Sequence, residues 1–361
     1  MRRVNLHFIA QELAVHGPVR FFSCRFSNLS WFKASDPRLS LFGHANRLEV
    51  KDGVECYLWK TFVHPISLPG GLGALEAIAF RSYVAQAPEM LRRWIVDSDV
   101  VLIESGIAIV FFELIRTLNP RAKILYIASD GLDTIKAAHY ARDYLRSIHG
   151  ELDGIVLPSF QLKPDFPNAR AVAVVPHGID AGPFAADVPS PYPPGTRNAV
   201  SIGSMLFDPR FFETAPPMFP DVNFHVIGSG QTPPAEPLPN VHHYAETSFL
   251  DTIPYLKHAD FGIAPYVQED VPAYLADTSM KLMQFGYLGL PAVCPQAAVG
   301  EHPMRFGYDL QDPETVRSAV NQALAATHRS VGALSWTEVT EKIVALAEGR
   351  TIGAPPWPKA V

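Results

Sequence analysis

The sequence is short of cysteine, of net positive charge and of long apolar runs, and each shortage removes a class of protein. Three cysteines, Cys24, Cys56 and Cys294, are an odd number without metal-ligand spacing, in a chain of 361 residues that does not need disulfide staples. Reduced thiols in a cytoplasmic protein are expected. A formal net charge of −6 argues against nucleic acid as a partner, because that class needs a basic footprint to displace counterions from phosphate. The most apolar stretch, 100–115, is interrupted by Glu104 and Glu113 and is too short for a membrane-spanning helix. The opening MRRVNLHFIAQELAVHG is charged, but Asn5, His7, Gln11 and Glu12 break its apolar residues; it suits an amphipathic helix, not a signal peptide. No internal repeat is visible.

What is present points to two domains. A chain of this length, 48% hydrophobic and 18% charged, exceeds the size at which one core keeps growing. Apolar runs rich in Val and Ile recur at 19–25, 55–62, 100–106, 123–129, 154–160 and 172–178, separated by helical stretches, which indicates a parallel sheet covered on both faces. Residues 179–197 then lose all period and fill with proline and glycine, as a linker does. A second series follows at 198–205, 223–230, 241–246, 261–266 and 291–295, with helices expected at 249–259, 279–289, 313–327 and 337–348. The expected fold is α/β of the GT-B type: two doubly wound, Rossmann-like domains facing a cleft, over 1–178 and 198–345, with a tail at 346–361. Fold alone leaves function open.

Ligands of open parallel sheets lie at the carboxyl ends of strands. Four segments of the second half end strands in this way: Gly203-Ser204-Met205, Gly228-Ser229-Gly230, Glu246 and Tyr266. Each taken singly is either a ligand contact or a tight turn. Residues 276–295, ADTSMKLMQFGYLGLPAVCP, say more. Ser279 or Thr278 can cap a helix whose apolar face is Leu282, Met283, Phe285 and Tyr287, and Gly289-Leu290-Pro291 ends it before a short strand. The segment resembles the donor-site helix of GT-B glycosyltransferases, whose N-terminus faces a nucleotide diphosphate. A helix dipole with Lys281 can stabilise a departing diphosphate without a metal. The ribose position, a carboxylate in the general pattern, is Gln284. An amphipathic core helix with an exposed lysine is the alternative.

In the first half, Asp130 follows KILYIAS and precedes Gly131, so a carboxylate stands in a turn at a strand end. An inverting sugar transferase needs one general base for the acceptor hydroxyl, and Asp130 is the candidate. A turn or helix-capping aspartate fits the same pattern. Glu104, which also closes a strand, is a weaker rival. Asp97-Ser98-Asp99 has the spacing of a metal-binding DxD but precedes its strand, and His242 and His243 alternate across theirs, so no metal site and no cofactor is expected. Across 1–45, six basic side chains (Arg2, Arg3, Arg20, Arg25, Lys33, Arg38) stand against two acidic ones (Glu12, Asp36), a surplus of four, among Phe21, Phe22, Phe26, Trp31 and Phe32. Such a stretch suits a dock on anionic membrane or a plain solvated surface.

Beyond these readings, NLHFI (5–9), VECYLWKT (54–61), ESGIA (104–108), ASDGL (128–132), HGID (177–180), GSMLFDP (203–209), FHVIGSG (224–230), KHADFGIAPY (257–266), YLADTSMKL (274–282), LGLPAVCP (288–295) and RFGY (305–308) resemble the bacterial xanthan-type glucuronosyltransferases of glycosyltransferase family 70. The likeness spans almost the whole chain. It implies an inverting, metal-independent GT-B enzyme that moves glucuronic acid from UDP-glucuronic acid to a mannose-ended saccharide on a polyprenyl diphosphate, in xanthan-like exopolysaccharide synthesis. The enzyme would sit peripherally at the cytoplasmic face of the inner membrane. The resemblance puts the general base on Asp130 and donor contacts on Met205, Glu246, Tyr266, Met280, Lys281 and Gln284, and it gives Lys281 a uronate carboxylate to pair with. It also implies a strand ahead of NLHFI, so the first strand of the N-terminal domain is expected to be missing. Transfer of another UDP-sugar or to another acceptor, a GT-B nucleotide-sugar epimerase and an inactive nucleotide-binding relative are the alternatives.

Overall fold

The computed structural model describes residues 5–32, 37–69, 72–236, 238–350 and 352. Arg2, Arg3, Lys33 and Asp36 of the basic-aromatic stretch lie outside them, as do the side chains of Trp31, Phe32 and Arg38 and residues 353–361 of the tail. The described residues divide into two compact units, one running to Gly178 and resuming at Trp336, the other spanning Ile179–Ser335.

In the first unit β1 (Val19–Ser27) is followed by β2 (Leu48–Lys51) and β3 (Val54–Thr61). β1 pairs with β3 in parallel, and β2 adds an antiparallel edge. Sequence reading passes over β2 because all four of its residues are exposed, so no buried face marks it. A separate sheet holds β4 (Val100–Glu104), β5 (Lys123–Ile127), β6 (Gly154–Leu157) and β7 (Val172–Val174), parallel and in that order. Ile124 to Ile127 and all of β6 are buried, as unbroken apolar runs in a sheet covered on both faces should be. The last helix, Trp336–Ala347, belongs to this unit: the Trp336 ring stacks on Phe8 at 4.9 Å, and Thr337 Oγ1 donates to Glu12 Oε2 at 2.7 Å.

The second unit carries β8 (Arg197–Ile202), β9 (Val222–Ile227), β10 (Val241–Tyr244), β11 (Phe261–Ile263), β12 (Ala292–Pro295) and β13 (Arg305–Tyr308). They form one parallel sheet in the order β10-β9-β8-β11-β12-β13. Strand order reverses between β8 and β11, and ligands of such sheets bind outside the carboxyl ends at that reversal. Successive residues bury on opposite faces. Val200, Ile227, Ala292 and Cys294 pack with Leu282 and Phe285, whereas Ala199, Val226 and Val293 pack with Phe211 and Val316. Residues 179–197 contain the helix Gly182–Ala185 and bury Phe184 and Tyr192 in the first of these cores.

Candidate functional site

The carboxyl ends of β8, β9 and β10 are drawn together by backbone. Gly203 N–H donates to the Ile227 carbonyl at 2.9 Å, which holds the turn after β8 beside the end of β9. Gly228 and Gly230 sit at φ +63° and +72°; a Cβ on the first would lie 3.4 Å from Glu246 Cα, and one on the second 3.3 Å from Ser204 Cβ. Only glycine adopts that backbone cheaply and leaves room for such an approach. Met205 and Glu246 come out exposed on neighbouring turns. The turn is then tied to the segment after β11: Asp208 N–H donates to the Pro265 carbonyl at 2.7 Å and Val267 N–H to the Leu206 carbonyl at 2.8 Å. Tyr266, between them, is fully buried.

Helix Met280–Leu288 starts at a Ser279 cap. The Ser279 hydroxyl accepts from Leu282 N–H at 3.2 Å and bonds the Tyr266 hydroxyl at 2.5 Å, and Gly289 at φ +71° ends the helix. Leu282 and Phe285 face the core, and Phe285 comes so near β11 that a Cβ on Gly262 would lie 2.6 Å from its ring. With that face inward, Met280, Lys281 and Gln284 fall on the half-buried remainder, Met280 and Gln284 one turn apart. The Lys281 stem is half-buried, but its Nζ is sealed, makes no hydrogen bond and lies 5.3 Å from the Tyr266 ring centroid. Burial pushes the ammonium down to about 7. Arg305, buried on β13, donates through Nη1 to the Ala276 carbonyl at 2.5 Å and to those of Ala298 and Val299 at 3.4 Å, bracing the turn ahead of the cap. Sequence reading missed Arg305, whose partners are backbone carbonyls distant along the chain. A helix N-terminus beside an uncompensated ammonium is chemically complementary to an anion.

Asp130 belongs to the other unit. Its N–H donates to Ser105 Oγ at 3.2 Å, and the adjacent Ser129 hydroxyl donates to Glu104 Oε1 at 3.0 Å. Burial raises the Glu104 carboxyl above the usual range; the Ser129 bond opposes this and the Asp130 charge adds to it. Glu104 is thus engaged within the fold; Asp130 is exposed in the turn after β5, and the N-cap of the next helix, His139–Ile148, is Ala138. Asp130 lines a pocket shared with Tyr126, Asp133, Arg142, Arg146 and Asp165. Arg142 is ion-paired to Asp133, and Arg146 Nη2 reaches the second oxygen of Asp133 at 3.3 Å. Asp165 is raised by burial and by repulsion from Asp133, against the pull of Arg146. The sequence carries one local sign of this pocket, Arg142 and Arg146 one helical turn apart.

Asp97 and Asp99 both precede β4, as read, with Asp97 near Arg20 at 3.7 Å. Among the described residues no group of three or more His, Cys, Asp and Glu side chains is set to hold a metal ion. The structure therefore gathers Met205, Glu246, Tyr266, Met280, Lys281 and Gln284 in one unit, around the strand ends and one helix start, and holds Asp130 in the other.

Comparison with known proteins gives a family, a relative and two likenesses among solved structures. The family model described as "Glucuronosyltransferase GumK, N-terminal domain" matches residues 1–158. A UDP-glucuronate:glycolipid 2-beta-glucuronosyltransferase of Xanthomonas campestris pv. campestris is 45% identical over 360 residues, 98% of this chain and 90% of that protein. Among solved structures, sucrose-phosphate synthase from Thermosynechococcus elongatus aligns with a TM-score of 0.60 at 13% identity, over 95% of this chain and 92% of that one. A trehalose-6-phosphate synthase aligns with 0.58 at 12% identity, over 96% and 92%. At such identity these two speak for the GT-B fold alone.

Proposed function

The chain belongs to the GumK family of glucuronosyltransferases, and from that premise we propose that it moves glucuronic acid from UDP-glucuronic acid to a mannose-ended saccharide carried on a polyprenyl diphosphate. The observation that carries the donor assignment is Lys281: a sealed ammonium without a hydrogen-bond partner at the start of the helix capped by Ser279. A uronate carboxylate supplies the missing counter-charge, which neutral glucose does not. Met205, Glu246, Met280 and Gln284 are the accompanying donor contacts, and the fully buried Tyr266 acts through its bond to the Ser279 cap.

The reaction is an inverting displacement. The acceptor hydroxyl oxygen attacks the anomeric carbon, its proton passes to Asp130, and the bond from that carbon to the β-phosphate oxygen breaks, releasing UDP. Free N–H groups at the helix N-terminus meet the charge growing on the diphosphate. This chemistry assigns no role to a metal. A glycolipid acceptor brings the enzyme to a lipid surface, for which the first unit has exposed Phe62, Val63, Ile66, Leu75 and Ile78. No helix among the described residues is long and apolar enough to cross a membrane, and a peripheral contact at the cytoplasmic face of the inner membrane fits these features.

The test is transfer of label from UDP-glucuronic acid, against UDP-glucose, to a panel of lipid-linked mannosyl oligosaccharides. Label is expected on mannose-ended acceptors from the uronate donor only; an epimer formed without acceptor would replace transfer by epimerisation. Flotation with anionic vesicles tests the surface. Ile78→Asp should reduce the bound fraction, and equal flotation of both proteins removes that patch from the contact.

A further inference from the structure

Beside Asp130 lies a pocket for which the proposed chemistry has so far given no use. Its walls are the turn from Asp130 to Asp133, the helix His139–Ile148 and the short helical turn Phe160–Asp165, all within one unit, and it opens at the carboxyl end of β5. Leu145, Leu162 and Phe166 make part of it apolar, while three carboxylates and two guanidiniums give it a formal charge of −1 (two positive less three negative). Asp133 is occupied by both arginines. Asp165 feels the Arg146 charge without being one of the carboxylates that guanidinium is bonded to, which are Asp133 and Asp143. Deeper in, the Tyr126 hydroxyl and Arg142 Nε are shut off from water without hydrogen bonds. Burial raises the Tyr126 hydroxyl well above its ordinary range, so it stays a neutral donor. Unsatisfied polar groups in such a place are rare and call for a partner.

Apolar walls, acceptors and donors side by side, and a slight negative charge suit a neutral sugar ring: its C–H face packs, its hydroxyls both give and take hydrogen bonds, and no charge is repelled. A diphosphate would meet three carboxylates. The geometry points to this pocket as the subsite for the terminal neutral sugar of the acceptor, with one hydroxyl directed to Asp130 and others bonded to Asp165 and Arg142. The inference rests on the reading of Asp130 as general base. It has a consequence for specificity, because after transfer the saccharide ends in a uronate, and the carboxylates that welcomed a neutral sugar repel it. The product is then not taken back as an acceptor, and one glucuronate is added per chain.

Steady-state transfer by the full-length enzyme tests this with Asp165→Asn, an exposed position where the isosteric change leaves folding intact. The acceptor KM is expected to rise about tenfold, the loss of one hydrogen bond to a charged group, while the KM for UDP-glucuronic acid stays within about twofold. Inhibition by the glucuronate-ended glycolipid product should not weaken, since one repelling charge has gone. An unchanged acceptor KM overturns the subsite, and so does an equal loss of affinity for acceptor and product. Failure of the underlying functional reading shows elsewhere, as absence of transfer by the wild-type arm to any mannose-ended glycolipid, and would take this inference with it.

Discussion

In the second unit the Lys281 ammonium is sealed away without a hydrogen bond, whereas in the first unit five charged side chains crowd one pocket at largely exposed positions. The two regions solve opposite problems. An isolated buried ammonium is costly in the empty protein and becomes favourable when an anion arrives, so it discriminates by charge. A cluster in which one Asp is paired to two arginines and two further Asp lie exposed carries little charge energy of its own, and it discriminates by the pattern of hydrogen bonds it can share. The donor side is thereby suited to reading a uronate and the Asp130 side to reading hydroxyls. Both sit at carboxyl ends of parallel strands, so the difference comes from side chains and not from architecture.

The comparison breaks most sharply at Asp130. Asp130→Asn should lower turnover by about a hundred- to ten-thousand-fold, the range for loss of a general base, with UDP binding by calorimetry unaltered; normal turnover would leave the first unit without chemistry. Next is Lys281→Met, expected to raise the KM for UDP-glucuronic acid by about ten- to a hundredfold and to leave UDP-glucose binding alone. The same lysine sets a pH signature. Its folded pKa of about 7 lies below the ordinary value of 10.5, so the folded protein holds fewer protons at this site and the site costs stability below that value. Donor-free Lys281→Met should accordingly be more stable at neutral pH, by about 1–4 kcal/mol in denaturant titration. Uronate binding favours the charged amine, so affinity for UDP-glucuronic acid should fall by up to about tenfold per pH unit above 7, with no such slope for UDP-glucose. Parallel slopes for the two donors would separate Lys281 from the carboxylate. The smallest effect is expected at Gly262→Ala, where the new methyl meets the Phe285 ring and displaces the helix Met280–Leu288. A loss of about 1–3 kcal/mol in unfolding free energy, together with weaker UDP binding, is expected there and not on acceptor KM.

The helix Met280–Leu288 was the most legible part of the chain because its signals are local. A serine cap, an apolar face at helical spacing and a terminal glycine lie within eleven residues, Ser279 to Gly289, and the structure uses each as read. The strands were legible where apolar residues rich in Val and Ile cluster, as in β5 and β6, and the two short ones that escaped have plain reasons. β2 buries nothing, and β13 opens on Arg305, whose charge looks like surface until its carbonyl partners are brought to it.

By itself the sequence determined two α/β units, since strand and helix periods and near-neighbour caps are written over a few residues and need no fold to act; the glucuronosyl type came from its likeness to one family along almost the whole chain. Only the tertiary structure decided that the Lys281 nitrogen is sealed under Tyr266 and that Asp165, Arg142 and Tyr126 share a pocket with Asp130. It also decided that the helix from Trp336 returns to the first unit. Burial and distant contacts depend on which segments the whole chain packs against one another, and no window of sequence contains that information.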